Sequence, residues 1–421
     1  MSSWLATLGV LRPPTATVRS VGGGAMGYPS IASAIAAAAP GDTVRIAAGT
    51  YIERLVIDRP LTLIGRGNPI IDGGARGSVI EVRADDVSIE GLVVQNTGFA
   101  YTDDYAGIHL DRVRRCRIIN NRIANTQLGV HADSTSRCIV RGNTLVGKTG
   151  SQSIGGNGIH AWSADSLVVA GNTVRGHRDG IYFEFVRYAE VSDNRISESE
   201  RYGLHFMYSS DCRYLRNRFR GNTNGIAVMY SQRVQIVSNR FEGAQGGSAY
   251  GLLLKEISDS EIERNVFDGN SSALMLDAAN RNVFRRNRII RNGWGVRLLA
   301  SSTDNRFEHN EFAGNAFDVS TNSPRPQATF SGNIWDRYTG YDLDHDGFGD
   351  VPHRPVTLFA SVVERVPATV ILLRSLLVDV LSVAERALPL LTPDLLYDDA
   401  PRMRVGRSSL AGDALAGTTP Q

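Results

Sequence analysis

The chain has 421 residues and a mass of 45.7 kDa, enough for a large core or several ordinary domains. Its 45 basic and 43 acidic side chains leave a formal charge of +2, which excludes a strongly basic nucleic-acid binder and an acidic solvating chain. With 42% hydrophobic residues, 43 glycines and 15 prolines it reads as folded and turn-rich, and its 3 cysteines cannot build a disulfide framework.

Residues 1–27 are expected to be a leader or a disordered segment. Met1–Arg19 makes a poor signal peptide, because it lacks a cationic start and its apolar stretch runs only from Trp4 to Leu11. A folded unit then spans 28–335. Ser30–Ala38 predicts a short amphipathic helix, followed by the turn Pro40-Gly41-Asp42-Thr43 and a strand. Such a helix would cover the open end of a solenoid, where strand edges and apolar core are otherwise exposed.

The coils announce themselves by repetition. A Gly-apolar-x-apolar-x unit begins at Gly107, Gly129, Gly158, Gly180, Gly203, Gly225, Gly251, Ala273 and Gly295. The period is about 22 residues, with insertions near Gly147–Ile154 and Gly243–Ser248. An Asn-x-apolar unit keeps step at Asn121, Asn143, Asn172, Asn194, Asn217, Asn239, Asn265, Asn287, Asn310 and Asn333. Each repeat therefore holds short alternating strands separated by turns. A leucine-rich repeat would need a helical half, and none is present. The fold class is all-β, a right-handed parallel β-helix with a cap at its amino end and a helical tail at its carboxyl end. Cys116, Cys138 and Cys212 each stand five residues before the asparagine of their coil. A copper-binding thiol pair and small buried apolar residues both fit, and Leu167 and Ala189 at the same position favour the second.

Past Trp335, residues 336–355 form an acidic loop, 356–403 a helical tail, and 404–421 a polar, disordered end. In the loop Asp342, Asp344, Asp346 and Gly347 imitate the start of a calcium loop, with Asp350 as a further candidate ligand and His353 where a bidentate glutamate belongs. The tail's most apolar window, Ala368–Leu391, carries Arg374, Asp379, Glu385 and Arg386, too much charge to span a bilayer. Its apolar stripe, Leu372, Leu376, Val380 and Val383, suits burial against another protein.

Alternation sends two columns of side chains outward from the Gly-apolar-x-apolar-x strands. The first reads His109, His131, His160, Tyr182, His205, Ala227, Leu253, Met275, Arg297; the second reads Asp111, Asp133, Trp162, Glu184, Met207, Met229, Lys255, Asp277, Leu299. Met207 and Met229 are stacked neighbours, and His205 precedes Met207 by two residues on one face. Thioether sulfur with imidazole suits the soft ion Cu+. His205, Met207 and Met229 are the candidate copper ligands, with Met275, His131 and His160 as secondary candidates. An exposed platform for a protein partner is the competing reading of the same side chains.

A family resemblance rests on several stretches. They are His177-Arg178-Asp179-Gly180-Ile181-Tyr182-Phe183-Glu184-Phe185, Arg201-Tyr202-Gly203-Leu204-His205-Phe206-Met207 and Gly225-Ile226-Ala227-Val228-Met229-Tyr230. The closing block Gly332-Asn333-Ile334-Trp335-Asp336 and the segment Pro367–Met403 add to them. Together these resemble the NosD family of periplasmic maturation proteins for nitrous oxide reductase. The resemblance implies a non-enzymatic copper-delivery factor acting as the periplasmic subunit of an ABC transporter complex. Its implied partners are the transporter permease and ATPase, a copper-chaperone lipoprotein and nitrous oxide reductase. Residues 356–403 would dock on the transporter, holding the protein at the membrane. The rival reading is a polysaccharide-binding or polysaccharide-modifying β-helix, with Asp111 and Asp133 as paired carboxylates. No basic residue shares their column nearby, and the Asp-Pro-His-Asp cluster of mannuronan epimerases is missing.

Overall fold

A computed structural model of the protein describes residues 17–22, 27–147, 156–373, 375–387 and 396–403. Among them, three sheets of 14, 12 and 13 strands wind into a parallel β-helix of about 13 turns, roughly 23 residues each. Each turn lends one strand to each sheet, in register with its equivalents one coil away. Ile118 lies between Ile89 and Val140, and Ile123 between Val94 and Leu145. The middle residue of these three-residue strands points inward and is buried, so the core is a column of stacked apolar side chains. Toward the carboxyl end the column turns aromatic, with Phe241 on Phe267 at 4.7 Å and Phe284 on Phe307 at 4.4 Å between centroids.

The asparagines form the expected ladder at the corner between the 14- and 13-stranded sheets. Asn194 Oδ1 accepts from the Asn172 backbone N–H at 2.8 Å and from its Nδ2 at 2.9 Å, and Asn194 Nδ2 donates to the Val169 carbonyl. The same pattern runs from Asn121 to Asn333. The residue before each ladder asparagine is left-handed: Gly142, Gly171 and Gly332 take that conformation freely, while Asp193, Arg216 and Ser238 take it against steric resistance. A second asparagine stack, Asn270–Asn292–Asn315, sits at another corner. It was not singled out from the sequence.

Both ends are closed, by different means. At the start, α1 (Ile31–Ala37) buries Ile31, Ala34 and Ile35 over the first coil, as its amphipathic pattern requires. Ser30 and Ser33 cap it reciprocally, and the Glu53 carboxylate accepts from the Ile31 and Ala32 N–H groups. The expectation that 1–27 is leader or disordered needs correction, since Val18–Val21 forms the outermost strand of the 14-stranded sheet, paired with Thr43–Ile46. Residues 1–16 lie outside the described residues, as do 404–421.

At the far end the last coil finishes with Ile334–Trp335, where the repeat reading stops it. The tail is not one helix. It divides into α2 (Leu358–Arg365), a 3₁₀ segment Pro367–Leu372, and α3 (Leu376–Ala387), because Pro367 disfavours helical backbone in Val366. α2 buries Phe359, Ala360 and Val363 against Phe317 of the final coil. α3 turns Val378 and Leu381 toward this cluster and leaves Leu376, Val380 and Val383 exposed. No helix among the described residues is long and apolar enough to cross a membrane.

After α3 the chain returns to the solenoid. Asp398 is fully buried, and its carboxylate accepts from the Asn333 N–H at 3.0 Å, Asn333 Nδ2 at 2.9 Å and Trp335 Nε1 at 3.0 Å. It takes the position of the next ladder asparagine. Among the described residues of 356–403 the most exposed apolar side chains lie on α3 and on the 3₁₀ segment before it, where Val370 and Ile371 face outward, and not along the whole tail.

Candidate metal centre

The 12-stranded sheet carries the predicted columns. Strand Tyr202–Met207 pairs on one side with Asp179–Glu184 and on the other with Asn224–Gln232. That register sets Met207 directly between Glu184 and Met229, and His205 between Tyr182 and Ala227. Neighbouring strands lie about 4.8 Å apart, so the two thioethers can converge on one ion. The Tyr182 hydroxyl donates to Glu184 Oε2 at 3.0 Å and lies 3.9 Å from Met207 Sδ. Burial, reinforced by Glu184, pushes the Tyr182 hydroxyl up to about 12, so it stays protonated.

His205 is 6% exposed, although alternation alone predicts a solvent-facing ring. Its Nδ1 lies 3.2 Å from an Arg201 guanidinium nitrogen and 3.7 Å from the Asp179 carboxylate, and Arg201 also pairs with Asp179. Guanidinium can only donate, so Nδ1 is the acceptor in the contact with Arg201. Nε2 is buried without a partner. Burial alone would raise the Asp179 carboxyl, but His205 and Arg201 outweigh it and hold that group below the usual range. Arg201 and Asp179 were not read from the sequence as part of the site. Their signal was there: Asp179 is the register partner of Tyr202, the residue after Arg201.

Met275 is not brought to this centre. It pairs with Leu253, which pairs with Ala227, so it stands two coils beyond the Met229 strand. His131 and His160 lie on the other side of Tyr182. His109, His131 and His160 stack with centroids 4.7 Å apart, the first pair 7° from parallel and the second 27°. His131 is 5% exposed. His131 Nδ1 and His160 Nδ1 are both buried without a hydrogen-bond partner. Burial, with the neighbouring imidazoles, lowers His131 to about 4 and His160 to about 3, so both rings are neutral at pH 7. Asp104 comes close to both rings from the loop before Ala106–Asp111, a residue the repeat could not single out.

In the acidic loop the carboxylates of Asp342, Asp344 and Asp346 lie within 4.8 Å of one another. Asp350 is outside that group, and its carboxylate accepts from the Leu343 N–H at 2.7 Å. Cys116, Cys138 and Cys212 are all fully buried in the core. Cys138 and burial push the Cys116 thiol up, and burial holds Cys212 near 11, as for packed apolar residues.

Residues 142–340 match the family described as periplasmic copper-binding protein (NosD). A probable ABC transporter binding protein NosD of Stutzerimonas stutzeri is 29% identical over 87% of this chain and 88% of its own length. The Pseudomonas aeruginosa protein of the same name is 31% identical over 86% of this chain and 88% of its own. Among solved structures, an exopolygalacturonase of Yersinia enterocolitica superposes with a TM-score of 0.58 at 12% identity, covering 75% of this chain and 78% of the other. An α-1,3-glucanase of Streptomyces thermodiastaticus does so with 0.58 at 15% identity, covering 79% and 70%. At such identities these two share the winding of the chain alone. The family match spans the strands that carry Met207 and Met229, and with the 31% identity to the Pseudomonas protein over 86% of this chain, the chain belongs to the NosD family.

Proposed function

We propose that this protein takes up Cu+ in the periplasm beside an ABC transporter and delivers it for the copper centres of nitrous oxide reductase, without catalysing a reaction itself. The observation that carries this reading is the register pairing of Met207 with Met229 on the outer face of the 12-stranded sheet. Two thioethers on adjacent strands offer a soft site that holds Cu+ without competing for harder divalent ions. His205 would serve as a third ligand once its ring turns from Arg201, which makes it the natural release element. The non-enzymatic reading is supported by the carboxylates of the rival one. Asp111 is paired with Arg112 at 2.9 Å and Asp133 accepts from Ser134 Oγ at 2.7 Å, so neither is poised for acid–base chemistry.

Partners follow from the same reading: a copper-chaperone lipoprotein as donor, nitrous oxide reductase as acceptor, and the permease with its ATPase as the membrane anchor. The exposed face of α3, Leu376, Val380 and Val383, would meet the permease. The acidic loop would hold Ca2+ through Asp342, Asp344 and Asp346. A Cu+ competition titration tests the centre. Met207→Ala with Met229→Ala should lower affinity at least 100-fold, and His205→Asn by about tenfold, with the fold unchanged. Unaltered affinity in the double methionine variant would overturn the site.

A second reading, glycan binding, is favoured by one observation. Phe185, Tyr208 and Tyr230 stack in a stripe beside the methionines, with centroids 5.2 and 4.9 Å apart, and the first two are well exposed. Oligosaccharide binding indifferent to copper would support it.

A further inference from the structure

A second group of donors differs in chemistry from the methionine pair. Asp104, His131 and His160 each bring a ligand atom within 4.8 Å of the others. The two imidazoles belong to adjacent strands, where His131 and His160 are register partners. Asp104 comes from outside the repeat, in the stretch between strands Val93–Gln95 and Ala106–Asp111. That stretch is tied down by Gln127, whose amide donates to the Ala100 and Asp103 carbonyls at 2.8 and 3.1 Å and accepts from the Ala100 N–H at 3.2 Å. The carboxylate beside Asp103 is therefore held over the strand that carries His131.

A structural stack of imidazoles does not explain what is left over. A buried ring nitrogen without a partner costs free energy, of the order of 1–3 kcal/mol. Here two occur in adjacent register partners, His131 Nδ1 and His160 Nδ1, with His131 5% exposed and an Asp104 carboxylate oxygen within 4.8 Å of a nitrogen of each ring. The 27° tilt between these two rings contrasts with 7° between His109 and His131. The charge around the group is negative, for Asp104, Asp111 and Asp133 all act on His131. The cation that acts on His160 is Arg178, on the far side of His160 from the other two histidines in the coil order.

We propose that Asp104, His131 and His160 form a second metal site, for a borderline divalent ion of the Zn2+ or Cu2+ type. Two imidazoles and a carboxylate are the donor set such ions take, with the fourth position left to water. A tetrahedral ion bound at about 2.0–2.1 Å needs its ligand atoms roughly 3.4 Å apart, which small side-chain rotations supply from the observed spacing. No thioether takes part, so this site and the methionine pair select different oxidation states or different metals on one face of the solenoid.

The experiment is a chelator-competition titration of the full chain with Zn2+ and, separately, Cu2+ at pH 7. One tight equivalent is expected in the wild type and in the Met207→Ala/Met229→Ala variant, which separates this proposal from the Cu+ reading. Asp104→Asn should lower the affinity about tenfold, and His131→Gln with His160→Gln at least 100-fold. Asp104 is exposed, so its variant folds whatever happens to the buried pair. Zinc should also raise the melting temperature of wild type, and by less in Asp104→Asn at the same concentration. Equal binding by wild type and Asp104→Asn, no tight divalent equivalent in wild type, or its loss in the double methionine variant would each overturn the proposal.

Discussion

Two columns run the length of this solenoid, the asparagine ladder and the histidine–methionine column, and they treat polar groups in opposite ways. Along the ladder each inner amide is fully used. Asn217 Oδ1 accepts from the Asn194 N–H and Nδ2, while its own Nδ2 donates to the Val191 carbonyl and to Asn239 Oδ1. Along the outward column the residues change from coil to coil, and ring nitrogens of His109, His131, His160 and His205 are buried with no partner. A buried polar stack that satisfies itself stabilises the coil. One that does not is held in place by its neighbours and is available to a ligand. The difference separates structure from function on a repeat where sequence periodicity treats both alike.

Of the substitutions that follow, one that breaks the ladder should therefore cost the most stability. Asn217→Ala leaves the Asn194 N–H buried and unpaired, at about 1–3 kcal/mol, and removes the side-chain partner of the Val191 carbonyl. A loss of roughly 1–3 kcal/mol is expected in the unfolding free energy, with Cu+ affinity unchanged in the protein that remains folded. A loss below about 1 kcal/mol would mean that the ladder is incidental to the fold.

Acid sharpens the comparison, because the ladder has no titrating group along its asparagines and the column has several. His131 at about 4 and His160 at about 3 in the column, and His177 at about 4 just outside it, all lie below the ordinary value, each held there first by burial. The unfolded chain takes up these protons near pH 6.5 and the folded chain only at the lower values. Stability is thus full above about pH 6.5 and falls toward pH 4, by roughly 1.4 kcal/mol per pH unit for each histidine. Asp318, raised by burial to about 6, acts in the opposite sense: its folded form protonates first, which adds stability as pH falls from about 6 to 4. Three histidines outweigh one aspartate. Denaturation between pH 7 and pH 4 should show a net decline, shallower in His177→Asn than in wild type.

The smallest change in stability is expected on α3. Leu376→Ser, Val380→Ser and Val383→Ser alter side chains that are 79%, 56% and 61% exposed, so the melting temperature should move little. Co-purification with the permease in detergent should nevertheless be lost. These substitutions are cleaner than truncation after Pro355, which would also remove Asp398 and open the last rung of the ladder. Retained capture would move the docking surface to the coils.

The sequence by itself determined the solenoid, the place of every ladder asparagine from Asn121 to Asn333, the capping helix at Ile31–Ala37 and the pairing of Met207 with Met229. It could do so because in a parallel β-helix each residue meets the one a coil away, so spacing along the chain is spacing in space. Tertiary structure alone decided the rest. The stretch that brings Asp104 over His131, the return of Asp398 to Asn333 across 65 residues, and the seating of α2 on Phe317 obey no period. Alternation says which way His205 and His131 point, but their burial is set by what lies over the sheet. That covering is aperiodic chain, whose path depends on closing a loop against a particular surface, and no repeat records it.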